Sequence, residues 1–299
     1  MNEAVLLQPK LSPTEKGARF FFLVCAIMAL GQMILIMGFL FREALGLFGS
    51  GTSLAEFLFS TDWYPTYAQP EFGSLALTGG SLAVTVISAL LAAPVGLCLA
   101  VWLACLAGRT AREWIKPAVE LMAGIPSVVL GFVGLVIMAP LMQEVLDLPT
   151  GLNVLNASLI LALMSVPSIA SLGEDALSAV SRDIQDASYA LGATKWETVW
   201  QVTIPAARSG LSTAVILGLG RALGETLVVL MCAGGAAQIP HSLFDSVRPL
   251  TAALAAEMGE TAIGSPHYHA LFALGVILFV LTLGFNLLAY GLGRRWRRG

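Results

Sequence analysis

Charged residues are scarce in this sequence, and their scarcity excludes most soluble folds. Asp, Glu, Lys and Arg together make up 12% of the 299 residues, whereas 57% of the residues are hydrophobic. A water-soluble domain of this length needs more charge to cover its surface. The apolar residues fall into long runs, which are typical of helices that cross a membrane. We therefore interpret the chain as an all-α polytopic membrane protein.

Cysteine and histidine are also rare, so few residues are available to ligate a metal or to act as a catalytic nucleophile or base. His267 and His269 flank Tyr268, but a metal needs more ligands, so we expect packing or hydrogen bonding there. The four cysteines lie in apolar runs without paired spacing, and we expect buried thiols rather than disulfides or zinc ligands at Cys25, Cys98, Cys105 and Cys232. We predict no catalytic and no metal-ligating residue.

A nucleotide-binding motif is missing as well. No Gly-x-x-x-x-Gly-Lys-Ser/Thr sequence occurs anywhere in the chain. This motif forms the loop that cradles phosphates in many ATPases, so the chain does not bind ATP by that route. We expect it to hold no cofactor of its own.

Six apolar runs are long enough to cross the hydrocarbon core of a bilayer. We predict these spans at residues 20–41, 75–106, 118–142, 154–172, 209–235 and 270–292. Together they form one transmembrane domain over 19–293, preceded by a polar tail at 1–18 and followed by a basic terminus at 294–299. The first run is too long for the apolar region of a signal peptide, so we expect it to be retained. A shorter apolar stretch at 249–258 is expected to be re-entrant or interfacial.

Lysine and arginine are distributed unevenly between the two sets of loops. If the N-terminus is cytoplasmic, only Arg42 and Arg248 lie outside, Arg221 lies within a span, and every other Lys or Arg lies inside. Cytoplasmic loops carry such an excess of positive charge. The asymmetry therefore predicts that both termini and the long loop at 173–208 are cytoplasmic.

The loop at 173–208 contains a polar segment, from Asp186 to Pro205, that differs from the rest of the chain. Ser181, Asp183 and Asp186 are residue types that begin helices, and Gly192 interrupts the run. Pro205 is expected to end the segment before the next span. We predict two short helices that meet at Gly192 on the membrane surface, with an apolar face formed by Tyr189, Trp196, Val199 and Trp200.

The same segment resembles the EAA motif, the cytoplasmic coupling loop of ABC importer permeases. The family pattern is Glu-Ala-Ala, three residues, Gly, nine residues and Ile-x-Leu-Pro. The matching positions, four of them with conservative departures, are Asp186, Ala187, Ser188, Gly192, Val202, Ile204 and Pro205. The resemblance implies the six-span fold of type I importer permeases and a loop that docks into a groove on an ATPase subunit. The alternative is an ordinary interfacial helix between two spans.

Two charged residues lie near the middle of the predicted fifth span. Arg221 and Glu225 are four residues apart, about one helical turn. A charge at that depth costs at least ~2.5 kcal/mol, so it faces a partner or a water-filled path. In one interpretation the two residues neutralise each other within one helix. In the other, Arg221 offers its guanidinium to an anionic substrate, and Glu225 holds Arg221 when the path is empty.

Two Pro-Ser pairs interrupt the third and fourth predicted spans. They are Pro126-Ser127 and Pro167-Ser168. A broken helix exposes backbone groups that can meet a polar substrate, which makes Ser127 a candidate residue of the path. The alternative is a kink whose freed carbonyl groups are satisfied locally by serine.

Several segments resemble the PstC family, permease subunits of phosphate ABC importers. The resemblance extends from about residue 54 to the end of the chain. It is carried by Arg221-Ala-Leu-Gly-Glu225-Thr and by four further segments, at 123–131, 242–248, 257–260 and 267–272. In that family the Arg and Glu of the fifth span are associated with phosphate passage, and this sequence keeps both.

The resemblance implies a complex in the bacterial cytoplasmic membrane. Its other members are a second, PstA-like permease, a dimer of a PstB-like ATPase that binds ATP and Mg, and a PstS-like extracytoplasmic phosphate-binding protein. The binding protein is expected to dock on residues 42–74 and 236–267. Membrane lipid surrounds the spans, and no nucleic acid is involved.

Three alternatives remain open from the sequence. The same machine could carry another oxyanion, molybdate or sulfate, because an arginine alone does not exclude them. The chain could be a secondary anion transporter driven by protons through Glu225, although such a protein has less reason to carry the motif at 186–205. It could also be a sensory or scaffold subunit that does not transport, which has no need of Arg221 and Glu225.

Overall fold

The computed structural model describes residues 13–49 and 51–296. Residues 1–12 of the predicted tail and residues 297–299 of the predicted basic terminus lie outside the described residues. The described helices are α1 Pro13–Gly49, α2 Leu54–Phe59, α3 Leu75–Val101, α4 Arg109–Ala123, α5 Ser127–Val133, α6 Ala139–Leu146, α7 Val154–Ser178, α8 Arg182–Ala190, α9 Lys195–Thr198, α10 Ile204–Leu223, α11 Leu227–Cys232, α12 Leu250–Glu257 and α13 Pro266–Trp296. A hairpin of two short strands, β1 Trp63–Tyr64 and β2 Glu71–Phe72, completes the fold.

Three π-helical turns extend the long helices. They cover Trp102–Leu106, Gly134–Met138 and Val199–Thr203. With these turns included, six helices within the described residues are long and apolar enough to cross a membrane. They are Thr14–Gly49, Leu75–Leu106, Ser127–Leu146, Val154–Ser178, Lys195–Leu223 and Pro266–Leu288. The all-α, six-span architecture predicted from hydropathy is thus confirmed.

The bounds of the third and fifth spans differ from the prediction. The third span was expected at 118–142, but residues 118–123 complete the amphipathic helix α4, and the apolar helix begins at Ser127. The fifth was expected at 209–235, but it runs from Lys195 to Leu223. Pro205 does not end the preceding segment, because the π-helical turn lets Ile204 donate to the carbonyl of Val199. Proline then falls in the first turn of α10, where its missing N–H costs little.

Helix α7 is the central element of the fold. It packs against α3, α10 and α4, and most of its residues are buried. Small residues allow the close approach, since a Cβ at Gly96 of α3 or Gly218 of α10 would lie 2.8 or 2.5 Å from Ile169 of α7. Helices in membranes pack closely through such small residues. The closely packed helices α3, α7 and α10 therefore form a rigid core that holds the neighbouring side chains in position.

The two ends of α7 define the two ends of the bundle. At the hairpin end, Val154 and Leu155 donate to the carbonyls of Asp245 and Leu243, and α12 and the β1–β2 hairpin lie nearby. At the coupling end, α8 and α9 follow Ser178. The 25 residues of α7 separate these ends by roughly 37 Å, which exceeds the ~30 Å hydrocarbon core of a bilayer.

The cysteines are only partly where the sequence analysis expected them. All four are free thiols, but Cys25 and Cys98 are exposed, Cys105 is half-buried and only Cys232 is buried. The expectation of four buried thiols is therefore wrong for two of them. Apolar runs in a membrane protein also form its outer surface, so an apolar neighbourhood in sequence does not imply burial in the fold.

Candidate functional site: the break after Arg221 and the coupling helices

Arg221 lies in the last turn of α10, where its side chain is exposed. Its Nη1 donates a hydrogen bond to the hydroxyl of Ser168 on α7, at 3.2 Å. Arg221 makes no ion pair within the described part of the chain. The guanidinium is therefore held in place by a neutral partner and keeps most of its donors free.

Glu225 lies in the break between α10 and α11. The helix stops at Leu223, so Glu225 does not follow Arg221 on one helical face as the sequence analysis supposed. The hypothesis that Glu225 holds Arg221 is not supported, because no ion pair joins the two among the described residues. Instead, the carbonyl of Glu225 accepts a hydrogen bond from Thr251 of α12, at 2.8 Å.

A small polar cavity adjoins this break. It measures about 10 Å³, and four polar residues contribute to a lining that is otherwise apolar: Glu225, Ser81, Thr85 and Thr251. That volume is about enough for a single water molecule. The break therefore brings one carboxylate and three hydroxyl groups to the same small cavity.

The two Pro-Ser pairs behave differently. Pro126 separates α4 from α5, and Ser127 is the half-buried first residue of α5, so the predicted interruption is present. Pro167 lies inside the continuous helix α7 and does not break it. Ser168 nevertheless contacts a candidate site residue, since its hydroxyl accepts a hydrogen bond from Arg221. The role of Ser127 in a substrate path stays a prediction.

The segment 186–205 forms the two helices that the sequence predicts. Helix α8 ends in a Schellman motif, in which Gly192 donates to Tyr189 O and Ala193 donates to Ser188 O. Gly192 has a φ of +88°, a conformation that favours glycine. Thr194 and Glu197 then form a capping box that starts α9. The hydroxyls of Ser188 and Thr198 lie 2.9 Å apart and tie the two helices together.

The motif positions of this loop lie mainly on its surface. Asp186, Ala187, Gly192 and Pro205 are exposed, whereas Ser188, Val202 and Ile204 are half-buried. Large apolar side chains are exposed beside them, with Leu191 90% exposed and Ile184, Tyr189, Trp196 and Trp200 between 42% and 55%. Val199, which was expected on this face, is buried instead. Exposed apolar side chains grouped on one short loop are typical of surfaces that bind a protein or a membrane.

Glu174 is a buried charge that the sequence analysis missed. Its side chain is 1% exposed and accepts hydrogen bonds from Arg112, from Lys116 at 2.5 Å and from Ser178 at 3.1 Å. The hydrogen bond to Glu174 raises the pKa of Lys116. This cluster joins α4 to α7 at the coupling end. The predicted span ends at 172 and leaves Glu174 in a loop, whereas α7 continues to Ser178 and buries this carboxylate.

Glu257 is a second carboxylate that the sequence analysis did not single out. It accepts hydrogen bonds from Trp63 Nε1 at 3.1 Å and from Arg248 Nη1 at 2.8 Å, and it lies 2.8 Å from His267 Nε2. These contacts join the hairpin, the 235–249 loop, α12 and α13. The expectation that His267 and His269 serve packing and hydrogen bonding is confirmed, since His269 Nδ1 lies 2.9 Å from the carbonyl of Glu43.

Sequence comparison identifies the relatives of this chain. Residues 96–298 match the family described as binding-protein-dependent transport system inner membrane component. The chain is 38% identical to the probable ABC transporter permease protein YqgH of Bacillus subtilis over 94% of this chain and 91% of that one. It is 36% identical to the phosphate transport system permease protein PstC of Mesorhizobium japonicum, over 83% of each chain.

Solved structures of ABC transporters share this fold. A chain of a bacterial alginate ABC transporter superposes with a TM-score of 0.61 at 16% identity, over 94% of this chain and 96% of that one. A chain of the inward-facing MetNI methionine ABC transporter gives a TM-score of 0.57 at 23% identity, over 73% of this chain and 93% of that one. At these identities the likeness establishes the fold of the type I importer permeases and nothing about the substrate.

Proposed function

Because this chain belongs to the family of binding-protein-dependent transport system inner membrane components, we propose that it is a permease subunit of an ATP-driven phosphate importer. Arg221 is the observation that carries the proposal. It is a guanidinium at a break in a membrane span, positioned by Ser168 and without an ion-pair partner among the described residues. Relatives more than 30% identical are phosphate transport system permease proteins.

The chemistry of Arg221 suits a phosphate ion. A planar guanidinium presents several N–H donors and binds phosphate oxygens in pairs through charge-assisted hydrogen bonds. Ser168 uses one donor of Arg221, and its hydroxyl orients the side chain. The anion would bind while the path is closed to bulk water, where the attraction between the charges is least screened.

One continuous helix supports the coupling of this site to ATP. From Lys195 in the coupling loop to Leu223, two residues beyond Arg221, the chain stays helical through the π-helical turn. A PstB-like ATPase dimer, which holds ATP and Mg, would dock on the exposed apolar patch of α8 and α9. Closure of that dimer would move the helix as a lever and so change access to Arg221.

The remaining partners and the orientation follow from the same scheme. A PstA-like permease would complete the path, and both termini would be cytoplasmic, as the distribution of Lys and Arg indicates. The hairpin end then faces the outside. A PstS-like phosphate-binding protein would dock there, on residues 42–74 and 236–267.

The test is uptake of labelled phosphate by the reconstituted complex, with and without ATP, in wild type, Arg221→Ala, Arg221→Lys and Glu225→Gln. Loss of the charge-assisted hydrogen bonds should lower uptake about 10- to 100-fold in Arg221→Ala. Arg221→Lys keeps the positive charge but loses the paired donors of the guanidinium, so its uptake should lie between those of wild type and Arg221→Ala. Glu225→Gln should lose less, because Glu225 is not paired with Arg221.

Competitors and assembly controls give the remaining outcomes. Excess molybdate or sulfate should leave phosphate uptake unchanged. Full competition would show that the importer carries that oxyanion and is not selective for phosphate. Uptake that needs no ATP would indicate a secondary transporter. Normal uptake in an assembled Arg221→Ala complex would place the anion site elsewhere, and no transport by the wild-type complex would favour a sensory subunit.

A further inference from the structure

A cavity of about 460 Å³ opens at the hairpin end of the bundle. Its walls come from the β1–β2 hairpin, the 235–249 loop, α12 and the start of α13, and its polar lining includes Tyr64, Tyr67, Arg248, Glu257, Glu260 and His267. It lies at the opposite end of α7 from the coupling helices. Neither the anion site at Arg221 nor the coupling loop uses it.

The cavity has a preformed wall. Glu257 binds Trp63, Arg248 and His267 at once, and Arg248 Nε also donates to the carbonyl of Gly235 at 2.8 Å. These bonds satisfy the charges of Arg248 and Glu257 against each other. They also lock four separate segments together, so a guest meets a fixed shape and few side chains have to be ordered on binding.

Glu260 supplies a carboxylate whose charge is not used within this fold. It is exposed, it lines the cavity, and its side chain makes no ion pair or hydrogen bond within the described part of the chain. With Arg248 and Glu257 neutralising each other, the lining carries one surplus negative charge. A cationic group is the occupant that this charge favours.

Two stacked tyrosines line the same cavity. The rings of Tyr64 and Tyr67 lie 4.9 Å apart with an interplanar angle of 18°, and the two side chains are 41% and 64% exposed. Exposed aromatic faces attract cations, arginine most often. A carboxylate and an aromatic pair that line one cavity offer an arginine or lysine both an ion partner and a surface for its apolar stem.

We propose that this cavity receives a lysine or arginine side chain from the extracytoplasmic binding protein and is the anchor point of docking on this subunit. The inference rests on the proposed function, since it needs the hairpin end to face the binding protein. The cavity is large enough for one long side chain. Its position above α12, whose Thr251 binds the carbonyl of Glu225, links the docked partner to the break beside Arg221.

The test measures docking of phosphate-loaded binding protein onto the complete transporter in lipid nanodiscs. Glu260→Gln removes the surplus charge and Tyr67→Leu removes one aromatic face. Their matched controls are Glu71→Gln, which changes an exposed carboxylate of β2 that does not line the cavity, and Tyr67→Phe, which keeps the ring. We expect Kd to rise roughly tenfold in Glu260→Gln and roughly threefold in Tyr67→Leu, with both controls within about twofold of wild type.

Salt dependence separates a charge contact from a change of shape. The slope of log Kd against log salt should become shallower in Glu260→Gln and stay unchanged in Glu71→Gln. Equal Kd and equal slopes in these two variants would overturn the inference, and so would a uniform loss of docking in all four variants. A wild-type complex that hydrolyses ATP but never docks the phosphate-binding protein would overturn the proposed function instead.

Discussion

At the scale of single residues, the informative signal is charge in an apolar context. Arg221 and Glu225 stand out in the sequence because ionisable residues within a span are costly. The structure adds that the two are separated by a helix end and that Arg221 binds Ser168. Glu174 follows the same physical rule, but its partners Arg112 and Lys116 lie 62 and 58 residues away, so only packing reveals them.

The Glu174 cluster gives a prediction about stability. Glu174→Gln removes the buried carboxylate that Arg112 and Lys116 share, and within the described residues Lys116 keeps only its 3.8 Å contact with Asp175. We expect the folded state to lose about 1–3 kcal/mol. The loss should lower the midpoint of thermal inactivation of the purified complex.

The matched control is Glu113→Gln, which removes the exposed pair of Glu113 with Arg109 on the same helix. Exposed pairs contribute little, so this variant should inactivate like wild type. Equal midpoints for both variants would show that the Glu174 cluster is not needed to hold α4 against α7.

At the scale of elements, turn geometry explains how the coupling loop keeps its shape. Gly192 closes α8 in a left-handed conformation, and the capping box at Thr194 starts α9 immediately afterwards. Gly192 is already a turn signal in the sequence analysis, whereas the Thr-x-x-Glu pattern of the capping box is not singled out there. The continuation of α9 into α10 cannot be predicted from the sequence. A proline there indicates the end of a helix, and a π-helical turn has no clear sequence signal.

Gly192→Ala tests the importance of this turn. No atom lies within 4 Å of the added Cβ, so the substitution adds only the strain of a positive φ, about 1 kcal/mol. We expect assembly to survive and coupling to suffer, with fewer phosphate ions imported per ATP hydrolysed. Gly108→Ala is the control, because that glycine has a φ of −69° and equally open surroundings. An unchanged transport ratio in Gly192→Ala would mean that the docked loop tolerates another turn.

At the scale of the whole molecule, the bundle places two chemically different surfaces on opposite ends. The coupling end exposes apolar side chains beside α8 and α9, and the hairpin end presents the cavity bordered by Tyr67 and Glu260. Helix α7 spans the distance between them, and α10 carries Arg221 in its last turn. This division suits a subunit that binds one protein on each side of a membrane.

Single cysteines test the orientation directly. Leu191 and Ile263 are matched positions, since they are 90% and 88% exposed loop residues at the coupling and hairpin ends. In a variant without the four native cysteines, Ile263→Cys should react with a membrane-impermeant maleimide in intact cells stripped of their outer membrane. Leu191→Cys should react only after the membrane is permeabilised. The opposite labelling pattern would show that the chain has the reverse orientation in the membrane.

Local sequence patterns are sufficient to predict the number of spans, the two short coupling helices and the choice of Arg221 as a candidate residue. Each of these follows from local information, because hydropathy runs, cap residues and a lone charge in an apolar segment act within a few turns of helix. Tertiary structure decided the separation of Arg221 from Glu225, the partners of Glu174 and the cavity around Glu257. The Trp63–Glu257 contact joins residues 194 positions apart, so it exists only once the packing of the helices has brought distant segments together.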